Sequence, residues 1–212
     1  MVGSEAARQG TETLYLRARE LAEGGALREA VGVYRQLLAD SPDHLKAHNN
    51  LGFLYDRLGD SEAALAEYRA AESLDPDDVR LQCNVAAALA SLGRYGEAEE
   101  KLAEALRSDP KEADIRENLG LVHYKRGLYA EAAEELRIAA DLDPQRARAL
   151  LYLGEALNRI DDLEGALTAL RRSVEIQPSA RAYYAMGIVY DRMNQKGAAQ
   201  AMYHKAEELG GW

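Results

Sequence analysis

Cysteine occurs once in the 212 residues, as Cys83, so no internal disulfide can form and no zinc finger or ribbon can be built. Apolar runs are short: nothing approaches the 18 or so consecutive apolar residues of a membrane-spanning helix, and no membrane insertion is expected. Residues Met1 to Gly10 lack the basic start and apolar stretch of a secretory signal, which makes the cytoplasm the expected compartment. Positive charge is scarce. The 26 Lys and Arg face 36 Asp and Glu, a net −10, whereas a duplex binder presents a basic domain; no nucleic acid partner is expected. The basic residues are 20 arginines and only 6 lysines, which points to a GC-rich bacterial genome. No glycine-rich phosphate loop occurs, and no nucleophile recurs with a base and an orienting group. A catalytic site and a cofactor are therefore not expected. His44 and His48, four apart near Asp40 and Asp43, have metal-ligand spacing. The pattern puts His44 in a turn and His48 in a core position, so no metal is expected either.

Proline is also rare, and its placement is the strongest signal in the chain. All five, Pro42, Pro76, Pro110, Pro144 and Pro178, are spaced by 34 residues. The alanines Ala30, Ala64, Ala98, Ala132 and Ala166 keep the same step, as do Gly25, Gly59, Gly93 and Gly127. A fixed period of this length marks a stack of supersecondary units, each unable to bury its apolar face without a neighbour. In the second unit His48, Leu51, Gly52 and Tyr55 fall at i, i+3, i+4 and i+7, one stripe of a helix A. After Gly59 a second stripe, Ala64, Tyr68 and Ala71, marks a helix B. The residues closing helix A are Gly25, Gly59, Gly93, Gly127, Asp161 and Asn194, types that tolerate a left-handed backbone. Ser41, Asp75, Asp109 and Asp143 precede prolines and are expected to cap the helix that follows. The alanine column, with Ala199 in the sixth unit, is expected to let helix B approach helix A closely.

The pattern W-x2-L-G-x2-Y of the tetratricopeptide family is matched by His48-x2-Leu51-Gly52-x2-Tyr55 and Tyr183-x2-Met186-Gly187-x2-Tyr190. Leu119-Gly120 and Leu153-Gly154 retain part of it, while Val85-Ala86 and Arg17-Ala18 depart from it. The chain thus resembles a tetratricopeptide repeat (TPR) protein over residues 11–212. The resemblance implies an all-α, right-handed superhelical solenoid of six helix-turn-helix repeats, 11–44, 45–78, 79–112, 113–146, 147–179 and 180–212, after a flexible segment 1–10. Arg17, at a leucine position, makes the first helix the one expected to fray.

In that family the A helices line a concave groove, through the second, fifth, sixth, ninth, twelfth and thirteenth residues of each repeat. The sixth position gives Asn50, Asn84 and Asn118, a row of carboxamides that would pair with the backbone of an extended peptide or else brace neighbouring helices. Groove positions from the second repeat onward hold Lys46, Arg57, Arg80, Lys125, Arg148, Arg159, Arg181 and Arg192. Asp56, Asp114, Glu117, Glu155 and Asp191 oppose them, so eight cations against five acids leave a strip of net +3. Such a strip would draw in an acidic segment, unless the charges pair among themselves. Tyr15, Phe53, Tyr124, Tyr152 and Tyr184 fall on the same face as anchors for partner side chains, or as packing between A helices. The carboxylate clamp of chaperone co-factors would map to Tyr15, Arg19, Asn50, Arg80 and Asn84, of which only Asn50 and Arg80 suit it.

After the last helix B, Met202, Tyr203 and Leu209 lie on the side that a seventh repeat would cover, with Gly210, Gly211 and Trp212 following. This C-terminal edge is expected to be adhesive, giving a possible homo-oligomer. Two functions are carried forward. The first is a non-enzymatic adaptor holding an extended or helical acidic segment of a protein partner in the groove. The second is a scaffold that self-assembles through the uncapped edge.

Overall fold

The computed structural model describes the backbone of residues 2–210 and the side chains of 9–210. Among the described residues the regular structure is all helix: α1 (Val2–Glu23), α2 (Leu27–Asp40), α3 (Leu45–Leu58), α4 (Ser61–Leu74), α5 (Val79–Ser91), α6 (Tyr95–Ser108), α7 (Ala113–Arg126), α8 (Tyr129–Leu142), α9 (Ala147–Arg159), α10 (Leu163–Ile176), α11 (Ala180–Arg192) and α12 (Lys196–Glu208). Odd-numbered helices are the A helices and even-numbered the B helices, in six pairs. The first repeat departs from expectation at its start. Its helix runs back to Val2, through the residues read as a flexible segment, and Arg17 does not interrupt it.

The turn inside each pair is as the sequence column requires. Gly25, Gly59, Gly93 and Gly127 have φ between 74° and 86°, and Asp161 and Asn194 adopt 70° and 59°. Asp and Asn are among the few side-chain-bearing residues that visit this region routinely. Between pairs the proline turn works differently from the expected cap. Ser41, Asp75, Asp143 and Gln177 close the preceding helix B, and the next residue, proline, cannot continue it. The carboxylates of Asp109 and Asp143 accept from the amides of Lys111 and Gln145, two residues on, which folds the turn rather than capping a helix. The side-chain caps come two residues after each of the first three prolines, and one residue after Pro178, where Ser179 accepts from the Ala182 amide. His44 accepts from the Ala47 amide at 3.1 Å, Asp78 from Arg80 at 2.8 Å, and Glu112 from Asp114 at 3.4 Å. The fourth residue of the repeat then ties the turn down. His48 lies 2.7 Å from the Pro42 carbonyl and 2.7 Å from Glu67, and Gln82 donates to the Pro76 carbonyl at 2.6 Å.

Within a pair, one contact recurs at a spacing of sixteen. Gly52 lies beneath the ring of Tyr68, Gly120 beneath Leu136, Gly154 beneath Leu170 and Gly187 beneath Tyr203. A Cβ on Gly52 would sit 2.7 Å from the Tyr68 ring, and one on Gly154 would sit 2.5 Å from the Leu170 Cγ. The alanine column behaves as expected: Ala30, Ala64, Ala98, Ala132 and Ala166 are fully buried, and Ala199 nearly so. The chain divides into two compact units at Lys101 and Leu102, inside α6. In the first, Tyr34, Leu37, Leu51, Leu54, Tyr68 and Leu81 are buried. In the second, Leu136, Leu153, Leu170, Met186, Val189 and Tyr190 belong to one cluster.

Gly154→Ala should lower stability by about 1–3 kcal/mol, because Leu170 has no room to yield to the added methyl. Gly32→Ala, inside α2 with no atom within 4 Å of its Cβ position, should raise stability by about 0.5–1 kcal/mol. Urea denaturation of the two variants against the parent chain measures both, and a neutral Gly154→Ala would contradict the packing account.

Candidate functional site

In the first unit the A helices meet through neutral hydrogen bonds. Asn50 on α3 donates to the Tyr15 hydroxyl of α1 at 3.2 Å and to the Tyr34 hydroxyl of α2 at 3.0 Å. Asn84 on α5 donates to Asn49 on α3 at 2.8 Å. Tyr15 stacks on the His44 ring, 5.3 Å between centroids, so the turn before α3 is packed against α1. Burial raises the Tyr34 pKa, and the bond from Asn50 partly offsets this. A cleft of about 350 Å³ opens here, lined by Tyr15, Arg19, Tyr34, Asn50, Phe53 and Arg57 among others. Phe53 is 55% exposed although it is the chain's lone phenylalanine. Its ring centroid is 6.0 Å from the Arg57 guanidinium. Arg19 pairs with Glu23 at 3.2 Å, and Arg80 with its own cap residue Asp78 at 2.8 Å. That bond from Arg80, opposed by burial, holds the Asp78 carboxyl below the usual range. Arg57 forms no ion pair among the described residues.

In the second unit the ties are ionic. Arg146, in the turn before α9, reaches Asp114 at 2.5 Å and Glu117 at 3.0 Å, both on α7. Arg148 holds the other oxygen of Glu117 at 3.0 Å. Glu117 is one of the few buried charged residues, so two arginines offset its loss of hydration. Burial works against the charge on Arg146, but the bonds to Asp114 and Glu117 outweigh it and raise the pKa. Arg181 on α11 grips both oxygens of Glu155 on α9, at 2.8 and 2.7 Å, and donates to the Tyr152 hydroxyl at 2.9 Å. These bonds, the one to Glu155 above all, raise the Arg181 pKa against burial. Tyr124 is raised by burial first and then by Glu155. Arg159 lies 4.2 Å over the Tyr129 ring, and Arg192 donates to Asn158 and Asp161. A cleft of about 310 Å³ is lined by Tyr124, Glu155, Arg159, Arg181, Tyr184 and Ile188 among others.

The tetratricopeptide repeat family profile matches residues 15–79, 86–147 and 126–181, and a second profile of the same description matches 180–209. The chain is a tetratricopeptide repeat protein. No curated protein matches it. Among solved structures it is similar to a tetratricopeptide repeat protein of Parabacteroides merdae, with 20% identity over 94% of this chain and 78% of that one, and a TM-score of 0.80. PilW, described as a type IV pilus biogenesis factor, matches at 20% identity, 92% and 90% coverage and a TM-score of 0.79. Pseudomonas aeruginosa pilF matches at 20% identity, 96% and 93% coverage and a TM-score of 0.74. At these identities the likeness is one of fold.

Many of the predicted residues are engaged within the protein. The amide donors of Asn50 and Asn84 brace helices, and that of Asn118 returns to the Asp114 carbonyl of its own helix at 2.8 Å. Each amide of the row expected to pair with a peptide backbone therefore makes at least one hydrogen bond within the protein. Of the cations, Arg80, Arg148, Arg181 and Arg192 are held by acids of the chain. Tyr124 and Tyr152 pack on each other edge to face, centroids 5.3 Å apart. At the C-terminal edge Tyr203 is committed to Gly187 and donates to Asp191 at 2.7 Å, its pKa pushed up to about 12 by burial and that bond. Its ring also lies 5.2 Å from Tyr184. Met202 packs on the core cluster of the second unit, which leaves Leu209, 49% exposed, as the predicted edge residue open to solvent. Gly211 and Trp212 lie outside the described residues. Among the described residues no group of three or more His, Cys, Asp or Glu is placed to hold a metal, and no helix is long and apolar enough to cross a membrane.

Arg146 and Tyr129 escaped the sequence reading because neither occupies a groove position of the repeat. Arg146→Leu should cost about 3 kcal/mol, since it leaves Glu117 buried with one partner fewer. Adding Glu117→Leu should recover most of that loss. Chemical denaturation of the single and double variants checks it; a double variant no more stable than Arg146→Leu would contradict the ionic account.

Proposed function

We propose that this TPR protein is a non-enzymatic adaptor that holds an acidic segment, extended or helical, of a protein partner against the A helices of its first unit. Family membership supports protein binding in general, and the −10 net charge speaks against nucleic acid. One observation carries the finer reading. Phe53, more than half exposed, stands one helical turn from Arg57, a cation with no acid partner among the described residues, at the mouth of a cleft. An exposed aromatic beside an arginine is the composition of interface hot spots. The asparagines act here as braces that set the spacing of the helices.

Affinity capture from the native source, with wild type beside a Phe53→Ser, Arg57→Glu double variant and beside Asn118→Ala, tests this reading. The double variant should lose the partner by tenfold or more, about 1.4 kcal/mol or above. Asn118→Ala should retain it. Equal capture by wild type and double variant would refute the reading.

A further inference from the structure

Resting on that proposal, we infer that the cleft between α1 and α3 is a carboxylate site, taking an Asp or Glu side chain of the partner segment beside an apolar side chain that covers Phe53.

The chemistry follows from which hydrogen-bonding groups in the cleft are already engaged. Asn50 presents its amide as donor to two phenols, Tyr15 and Tyr34. A phenol that accepts still has its own proton to donate. No acceptor for either phenol proton is found among the described residues. Tyr34 is only 1% exposed, so its hydroxyl is held deep on the cleft wall. Arg57 adds a guanidinium with no acid partner among the described residues. The acid in the lining, Glu23, is bound by Arg19. The Tyr15 and Tyr34 hydroxyls and the Arg57 guanidinium thus line one cleft whose acid, Glu23, is already paired with Arg19, and a carboxylate would supply acceptor oxygens and the matching charge. Asn50 contributes by aiming the phenols, not by touching the ligand.

Size and spacing restrict the occupant further. A cleft of about 350 Å³ lies at the low end of small-ligand sites, about 300–1,000 Å³, with room for one side chain and its backbone rather than a helix face. Phe53 and Arg57 are four apart on α3, which puts their Cβ atoms about 6 Å apart. Residues i and i+2 of an extended segment lie on one face at about 6.6 Å, a matching step. The ligand is therefore an extended stretch alternating apolar and acidic residues. The second unit is not equivalent. Glu155 takes Arg181, Glu117 takes Arg146 and Arg148, and Arg159 is stacked on Tyr129.

The test uses a fluorescent peptide with blocked ends, alternating leucine and glutamate, and reads anisotropy together with amide shifts of the full chain. Saturable binding should shift amides of α1 and α3. Tyr15→Phe and Arg57→Gln should each weaken it about tenfold, equivalent to 1.4 kcal/mol. The glutamine-for-glutamate peptide should bind at least tenfold more weakly. Arg159→Gln should leave binding unchanged, and circular dichroism of each variant confirms the fold. Binding that appears only with a free C-terminal carboxylate would overturn the side-chain assignment. Equal affinity for the glutamine peptide, shifts confined to α9 and α11, or no saturation up to about 1 mM would overturn the site itself. Failure here leaves the adaptor reading intact if capture of the native partner still depends on Phe53 and Arg57.

Discussion

The close approach of helix A to helix B in each pair governs what the rest of the chain can do. It depends on a small residue at the eighth position of the repeat and a large one sixteen residues later. Where the small residue is glycine, the partner ring or isobutyl group lies directly against backbone, and a single methyl has no space. Ala18 and Ala86 take the same column in the first and third repeats and are fully buried. Because interiors are packed to crystal-like density, this contact fixes the angle and separation of each hairpin. The A-helix side chains that face away from helix B are then presented at set intervals.

That geometry leaves open how neighbouring A helices are held, and the two units differ. In the first, the bonds are neutral: carboxamide to phenol, and carboxamide to carboxamide. In the second, they are arginine to carboxylate, partly buried. Neutral ties between the A helices of the first unit leave Arg57 outside any ion pair among the described residues, whereas ionic ties between those of the second engage Arg146, Arg148 and Arg181. The same repeat position therefore means different things along the chain. Position two is Lys46, which is exposed, in the second repeat, and Arg148 and Arg181, each bound to a carboxylate, in the fifth and sixth.

The period, the helix pairing and the left-handed turn residues were legible because each is set locally, by φ, by helical spacing or by proline. The chain even substitutes Asp161 and Asn194 where the column abandons glycine, and both adopt positive φ. The proline turn was half legible. Its location was plain, but Asp75 and Asp143 close a helix where they were expected to open one, since a cap depends on which residue first enters helical geometry after the proline. The roles of the groove residues were not legible. The orientation of Asn50 is decided by Tyr15 and Tyr34, thirty-five and sixteen residues away, and that of Glu117 by Arg146 and Arg148 of the next repeat. A row of like residues in sequence became three different hydrogen-bonding situations once neighbours were in place. Tyr203 shows the same thing, reading as an edge residue until Gly187 is seen beneath it.

Net charge sets a further condition on recognition. A chain at −10 repels an acidic segment at long range, so attraction by a basic strip cannot be the source of affinity, the less so when Arg80, Arg148, Arg181 and Arg192 of that strip are internally paired. At physiological ionic strength the repulsion is screened beyond about 8 Å. What remains is contact. The exposed Arg57 guanidinium and the phenol donors would act within hydrogen-bond distance of a bound carboxylate and gain strength as water leaves the cleft. An exposed phenylalanine beside them supplies the apolar contact that drives the water out. On the proposed reading, selection of an acidic partner would be a short-range matter of donors in the cleft, and the internal ion pairs of the second unit would limit where on the chain it could occur.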